Sequence, residues 1–295
     1  MNGIQSSIIA LAVHPKKPIL AIAGDRGWVI LWDYVKKDYY GQSYENYSKD
    51  SHEKSKDGKP SGVSYSCMQF TPDGTQLMVA TSSGNIIIFD PETAKEIKQP
   101  TPICLMDDKE ANNKNFKVTQ MIISDDGLYC ATSDSSRAVC LFKYSKTYEQ
   151  EDKQVEWWFI GKHRTHSREI TSICFGYSLD ENNQIKHRLF SIGKDRRLFE
   201  YDTSFDATNY SHLKHKPPFD IELESIPTAC IWYPNIDLKE GLILTANDEY
   251  KMKLWNPTTE NSRRTCLGPT YGGAINKLKL LSFGARGEKY LLYST

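Results

Sequence analysis

The chain has 295 residues, with 37 Lys plus Arg against 37 Asp plus Glu. That length can bury a sizeable core in one large all-β domain or two ordinary ones, and the charge balance leaves no global field to hold nucleic acid or an anionic membrane. Aromatic residues make up 12% of the chain, Tyr leading with 17, which suits strands better than helices. Seven cysteines stand singly at 67, 104, 130, 140, 174, 230 and 266, without a C-x-x-C pair. They read as reduced, buried thiols of a cytoplasmic protein rather than a disulfide framework. The amino terminus lacks the charged and apolar regions of a signal peptide, and no run approaches the roughly 18 apolar residues of a membrane span, so the expectation is a soluble intracellular chain.

In chain order, the first apolar runs are "IIALAVHP", "PILAIAGDRG" and "GWVILWDY", which predict three antiparallel strands joined by Gly, Pro and Asp turns. Residues 35–62 alternate charges and carry Tyr39, Tyr40, Tyr44 and Tyr47 with few aliphatics, which predicts a surface loop whose tyrosines are candidate anchors for a partner. The three-strand pattern then returns as "YSCMQFTPDG", "QLMVATSSG" and "NIIIFDP", and again as "VTQMIISDDG", "LYCATSDSS" and "AVCLFKY". An outer strand is clearest in "VEWWFIGKH". Two more copies are "ITSICFGYS", "RLFSIGKDR", "LFEYDT" and "PTACIWYP", "GLILTANDE", "MKLWNP". Their third-strand aromatics, Trp32, Phe89, Phe142, Tyr201 and Trp255, lie 57, 53, 59 and 54 residues apart, so the unit repeats.

On these residues the chain resembles the WD-repeat family of β-propellers, in which each blade is a four-stranded sheet and an aromatic-Asp pair ends the third strand. The resemblance implies an all-β WD-repeat β-propeller with five recognisable blades plus an incomplete sixth, as one domain over 1–295. Its blades would be 1–62, 63–116, 117–168, 169–224 and 225–274, with a partial blade at 275–295. The last stretch supplies a first and a second strand, so the expectation is that a companion chain, or more residues of a longer parent, covers its open edge. In the family, a His, a Ser or Thr, an Asp and the third-strand aromatic share hydrogen bonds within a blade. Here blade four matches at His166, Ser191 and Asp195, with Tyr201 in place of Trp. The set reads as structural rather than as a Ser-His-Asp hydrolase site.

No phosphate loop, dinucleotide fingerprint, HExxH or GxSxG motif occurs, so no catalytic residue, metal ligand or cofactor is assigned. The pairs His163 with His166 and His212 with His215 lack further ligands at zinc spacing, and "HLKHK" reads as a solvated basic loop. Arg26, Arg137, Arg196, Arg197 and Lys251 fall beside the turns between second and third strands, a cationic set suited to an acidic partner peptide.

Three segments carry a narrower likeness: "LAVHPKKPILAIAGDRGWVILWDY", "HSREITSICFG" and "LTANDEYKMKLWNPTTENSRRTCLGPTYGG" followed by "INKLKLL". They look like the WD-repeat cilia- and flagella-associated proteins of the calmodulin- and spoke-associated complex. That resemblance implies a non-catalytic scaffold of the ciliary axoneme at the base of a radial spoke on doublet microtubules, contributing to motility control. Its partners would be other radial-spoke and calmodulin- and spoke-associated complex proteins. A substrate-receptor module of a ubiquitin ligase is the alternative, told apart by a linked F-box or adaptor-binding helix.

Overall fold

The computed structural model describes residues 7–25, 28–40, 64–92, 96–97, 103–104, 116–147, 154–179, 182–204, 212–233, 241–268, 273–283 and 288–295. They form antiparallel four-stranded sheets in chain order and a final two-stranded sheet. Sheet 1 is β1 (Ile8–Val13), β2 (Ile19–Gly24), β3 (Val29–Asp33) and β4 (Asp38–Tyr39). Sheet 2 is β5 (Tyr65–Phe70), β6 (Leu77–Thr81), β7 (Asn85–Phe89) and β8 (Ile103–Cys104). Sheet 3 is β9 (Val118–Ile123), β10 (Tyr129–Asp134), β11 (Ala138–Thr147) and β12 (Gln154–Arg164). Sheet 4 is β13 (Ile170–Leu179), β14 (Ile185–Gly193), β15 (Arg197–Tyr201) and β16 (Phe219–Asp220). Sheet 5 is β17 (Pro227–Tyr233), β18 (Leu242–Asn247), β19 (Lys251–Asn256) and β20 (Asn261–Leu267). Sheet 6 pairs β21 (Lys277–Phe283) with β22 (Glu288–Ser294).

The chain divides into two compact units, Met1–Ser135 with Phe142–Phe159, and Ser136–Leu141 with Ile160–Thr295. In the first, β1 lies against β5 and β5 against β9. Ala21, Ala23, Val29 and Leu31 of sheet 1 bury one face on Tyr65, Met68, Leu77 and Val79 of sheet 2. In the second, Cys174, Phe190, Ile192 and Leu198 of sheet 4 pack on Cys230, Ile243 and Trp255 of sheet 5. The middle strands β2, β6, β10 and β18 are almost continuously buried, which suits the apolar and small residues that fill most of their positions. Trp232 lies stacked on Phe190, centroids 5.8 Å apart at 13°. Gly176 and Gly241 make this possible, because a Cβ at either would run into the indole.

The turns between first and second strands of unit 1 share one device. His14, Thr71 and Ser124, each at the end of a first strand, use the side chain to cap the turn that follows. Thr71 Oγ1 accepts from Gln76 N at 3.1 Å and Ser124 Oγ from Tyr129 N at 2.9 Å. His14 Nδ1 accepts from Lys16 N and Lys17 N at 3.0 and 2.9 Å, which assigns its proton to Nε2, 3.1 Å from Gly74 O. Gly74 sits at φ 78°, where a side chain would strike the imidazole.

Burial pushes the His14 pKa below the usual imidazole value, helped by the Lys17 and Lys16 cations and opposed by the bond to Gly74 O. A folded pKa below the unfolded one means that the unfolded chain binds more protons, so this contribution is full above about pH 6.5 and is lost as pH falls further. Urea midpoints measured between pH 7.5 and 5.5 should therefore drop, and the His14→Asn variant should show a shallower drop. Equal slopes in the two proteins would refute the assignment.

Candidate functional site

Sheet 4 holds the densest polar arrangement. His166, just before β13, presents Nδ1 to Asp195 at 2.9 and 3.1 Å and Nε2 to Ser191 Oγ at 2.7 Å. Ser191 Oγ is 2.8 Å from the Tyr201 hydroxyl, which is 2.6 Å from Thr165 Oγ1. Burial alone would raise the Asp195 pKa, but hydrogen bonds from His166, Ser167 N and Arg197 N outweigh it and hold the carboxyl below its usual range. Burial pushes the Tyr201 phenol well above its usual value. The connectivity is that of a catalytic triad, yet Ser191 is 0% exposed and the His166 side chain 0%. The hydroxyl that would attack a substrate is sealed under Tyr201, out of a substrate's reach.

Counting from the turn between second and third strands shows what sets this sheet apart. Gly84, Arg137, Arg196 and Tyr250 occupy one left-handed position there, with φ of 86°, 70°, 67° and 62°. Five residues before it stand Val79, Thr132, Ser191 and Thr245, and five after it Phe89, Phe142, Tyr201 and Trp255. In sheets 3 and 5 the set is broken: Thr132 Oγ1 and Trp255 Nε1 are buried without a hydrogen-bond partner among the described residues.

The four described cationic turn residues each have a partner within the chain. Arg137 Nη1 donates to Ser167 O, and Arg196 Nη1 to Leu223 O, so each left-handed arginine ties its turn to the strand entrance of the next sheet. Holding a non-glycine there costs roughly 1–2 kcal/mol, which these bonds offset. Arg197 Nε pairs with Asp220 at 3.2 Å and Lys251 Nζ with Glu249 at 2.9 Å, both pairs solvent-facing. Arg26 lies outside the described residues.

Of the loop tyrosines, Tyr39 is in β4 with its ring edge-on to Trp32, centroids 5.4 Å apart at 87°. Tyr40 is partly buried against the sheet 1 and sheet 2 core. The stretch predicted as loop from residue 35 thus begins with a short outer strand, because a Trp at the end of β3 offers an aromatic neighbour across the pair. Tyr44 and Tyr47 lie outside the described residues.

"HLKHK" is bridged to two strands as a strap, with Leu213 buried while His212, Lys214 and Lys216 stay exposed. His212 bridges Lys162 of β12 in parallel, and His215 bridges Tyr201 of β15 antiparallel. Leu213 between them is 2% exposed. The His163 ring lies 4.8 Å from His215 and 6.4 Å from His212. Sequence spacing hid this, since the neighbours come from different H-x-x-H pairs. Among the described residues no His, Cys, Asp or Glu group is placed to hold a metal ion.

A buried ion pair also went unseen in the sequence. Arg188 of β14 forks onto Glu200 of β15, both contacts 2.8 Å, with the two residues 6% and 8% exposed. The guanidinium lies over the Phe190 ring at 5.0 Å and the Trp232 ring at 5.8 Å. Burial alone would raise the Glu200 pKa, but Arg188 and Lys216 outweigh it and leave the carboxyl below its usual range. A cleft of about 110 Å³ lies beside it, walled by Pro217, Phe219, Pro257 and Thr258.

No protein-family model matches the chain. It is 37% identical to cilia- and flagella-associated protein 251 of Tetrahymena thermophila, over 100% of this chain and 30% of that protein. The mouse protein of the same name is 29% identical over 98% of this chain and 20% of its own length. The chain therefore spans less than a third of these relatives. Among solved structures it resembles the β-propeller domain of Cps50 (Swd1) from Myceliophteria thermophila, with TM-score 0.57 and 14% identity over 100% of this chain and 85% of that one. It also resembles a chain of a mitotic checkpoint complex, with TM-score 0.56 and 16% identity over 94% and 68% of the two chains. The fold class is the all-β propeller.

Proposed function

From homologues named cilia- and flagella-associated protein 251 whose alignments span 98–100% of this chain, we propose that it is a ciliary scaffold propeller of that group. It docks other proteins and performs no catalysis. In this reading residues 1–295 act as one incomplete propeller and the His166, Ser191, Asp195 and Tyr201 set is structural. Its place is the axoneme, at the base of a radial spoke on doublet microtubules, where its partners are radial-spoke and calmodulin- and spoke-associated complex proteins and its effect is on motility.

The observation that carries this reading is 37% identity over the whole chain. The sealed hydroxyl of Ser191 supports the non-catalytic part. Arg197 and Lys251, whose exposed ion pairs are individually weak, are where an acidic partner would exchange its carboxylates for Asp220 and Glu249. Cross-linking mass spectrometry on demembranated axonemes carrying the tagged protein tests the assignment. The expected result is retention with the doublets and cross-links to spoke-base proteins. A protein absent from axonemes, or one cross-linked to ligase adaptors, would overturn it in favour of a substrate receptor.

A further inference from the structure

We propose that Cys174 and Cys230 form an oxidative modification site, at which peroxide converts the two thiols into a reversible disulfide that latches sheet 4 to sheet 5. The proposal goes beyond the scaffold reading and does not rest on it.

The two residues stand on the first strands of neighbouring sheets in the second unit, where β13 lies against β17. Neither is in a disulfide, and both are buried in one apolar cluster with Phe190, Ile192 and Ile243. The strands run close together. Thr171 Oγ1 donates to Pro227 O at 2.6 Å, and Cys230 N donates to Ser172 Oγ at 3.2 Å. Hydroxyls one atom beyond Cβ thus cross from β13 to the main chain of β17, a spacing in keeping with the roughly 4.4–6.8 Å between Cα atoms that a disulfide spans. The Cys174 thiol is hydrogen-bonded to Cys230, and that bond together with burial pushes its pKa well above the usual value.

The fold does not require sulfur at this joint. The first strands share a register shift at their start, after Ile8, Tyr65, Ile170 and Pro227. Cys174 is the fourth residue after Ile170 as Ala12 is after Ile8, and Cys230 the third after Pro227 as Met68 is after Tyr65. Between sheets 1 and 2 the same two positions therefore hold Ala12 and Met68, which pack in the core there. Between sheets 4 and 5 they hold two thiols in contact.

The oxidant is hydrogen peroxide. One thiolate sulfur attacks a peroxide oxygen, the O–O bond breaks, and water leaves a sulfenic acid behind. The second sulfur attacks the first, the S–S bond forms, the S–O bond breaks, and the released hydroxide takes up the thiol proton as a second water. Two thiols thereby give up two electrons and two protons, and the peroxide becomes two waters. The bond closes the chain from 174 to 230 into a loop, which restricts the unfolded state and holds the two sheets together. Because the thiolate is the nucleophile and Cys174 is kept as the thiol, the reaction should trail oxidation of the partly exposed Cys266 by about tenfold or more and quicken as pH rises.

The test exposes the whole 295-residue chain to dilute hydrogen peroxide until well after Cys266 has reacted, then maps its peptides by mass spectrometry without reductant. The expected product joins the Cys174 peptide to the Cys230 peptide and comes apart in dithiothreitol. The urea midpoint of the oxidised chain should rise, and fall back on reduction. The C174A/C230M chain, which takes over the residues of the sheet 1 and sheet 2 joint, should show neither the link nor the rise. Recovery of Cys174 and Cys230 as free thiols, as sulfinic acids or joined to other cysteines would overturn the proposal. So would a linked chain whose midpoint is unchanged or lower, or an equal rise in C174A/C230M. Peptide mapping and the reversible midpoint shift of the unaltered chain decide the matter if that variant fails to fold.

Discussion

Replacing Glu200 with Leu should lower the stability of the chain by about 3–5 kcal/mol, read as a fall in the urea midpoint at pH 7. Arg188 is only 6% exposed and its Nε and Nη2 both bond Glu200, so the substitution strands a buried cation over the Phe190 and Trp232 rings. Arg188→Leu should cost less, about 1–3 kcal/mol, because Glu200 keeps Lys216 at 2.9 Å. The double variant R188L/E200L should recover most of the loss. Sheet 5 supplies the reason: Trp255 pairs with Ile243 as Tyr201 pairs with Leu189, so Leu242 and Leu254 hold the positions of Arg188 and Glu200. A pair of leucines is therefore compatible with this backbone. If the double variant is no more stable than E200L, the pair acts by something other than mutual charge compensation.

The repeat was legible because strand sequences carry their own burial. "LILTAN" and "LMVAT" are mostly apolar, and both are buried middle strands. The His166 set was legible too, since it draws its members from one sheet at positions fixed by the repeat. What stayed hidden arises between segments distant in sequence or against the local pattern. Glu200 stands where sheets 1, 2 and 3 place Leu31, Ile88 and Leu141, and nothing in "LFEYDT" tells a buried carboxylate from a solvated one until Arg188 arrives from β14. The strap at His212 to Lys216 read as solvated because Leu213 is its single apolar residue, and its two lysines are indeed exposed. The burial of Leu213 comes from two edges, β12 and β15, that the segment itself does not encode. The left-handed arginines at 137 and 196 read as free surface charge, because the carbonyls they reach belong to the following sheet's entrance.

His166→Ala should destabilise the chain by about 2–4 kcal/mol, through two lost hydrogen bonds and a cavity beside Phe199, whose ring lies 4.5 Å from the imidazole. Tyr201→Phe should cost less, about 1–2 kcal/mol, because Phe89 and Phe142 stand at the same register position and show that the ring alone is accommodated. What that variant loses is the phenol's bonds to Ser191 and Thr165. The acid limb of the stability profile carries the sharper signature. With the Asp195 pKa held below its unfolded value, its contribution is present above about pH 4 and lost as pH falls further. Asp195→Asn should therefore be less stable at pH 7 and show a flatter acid limb than the unaltered chain. In a double-mutant cycle, His166→Ala and Asp195→Asn should couple by more than about 1 kcal/mol. Additive losses would mean that the two side chains hold their places independently, and the bond between them would then carry no stability of its own.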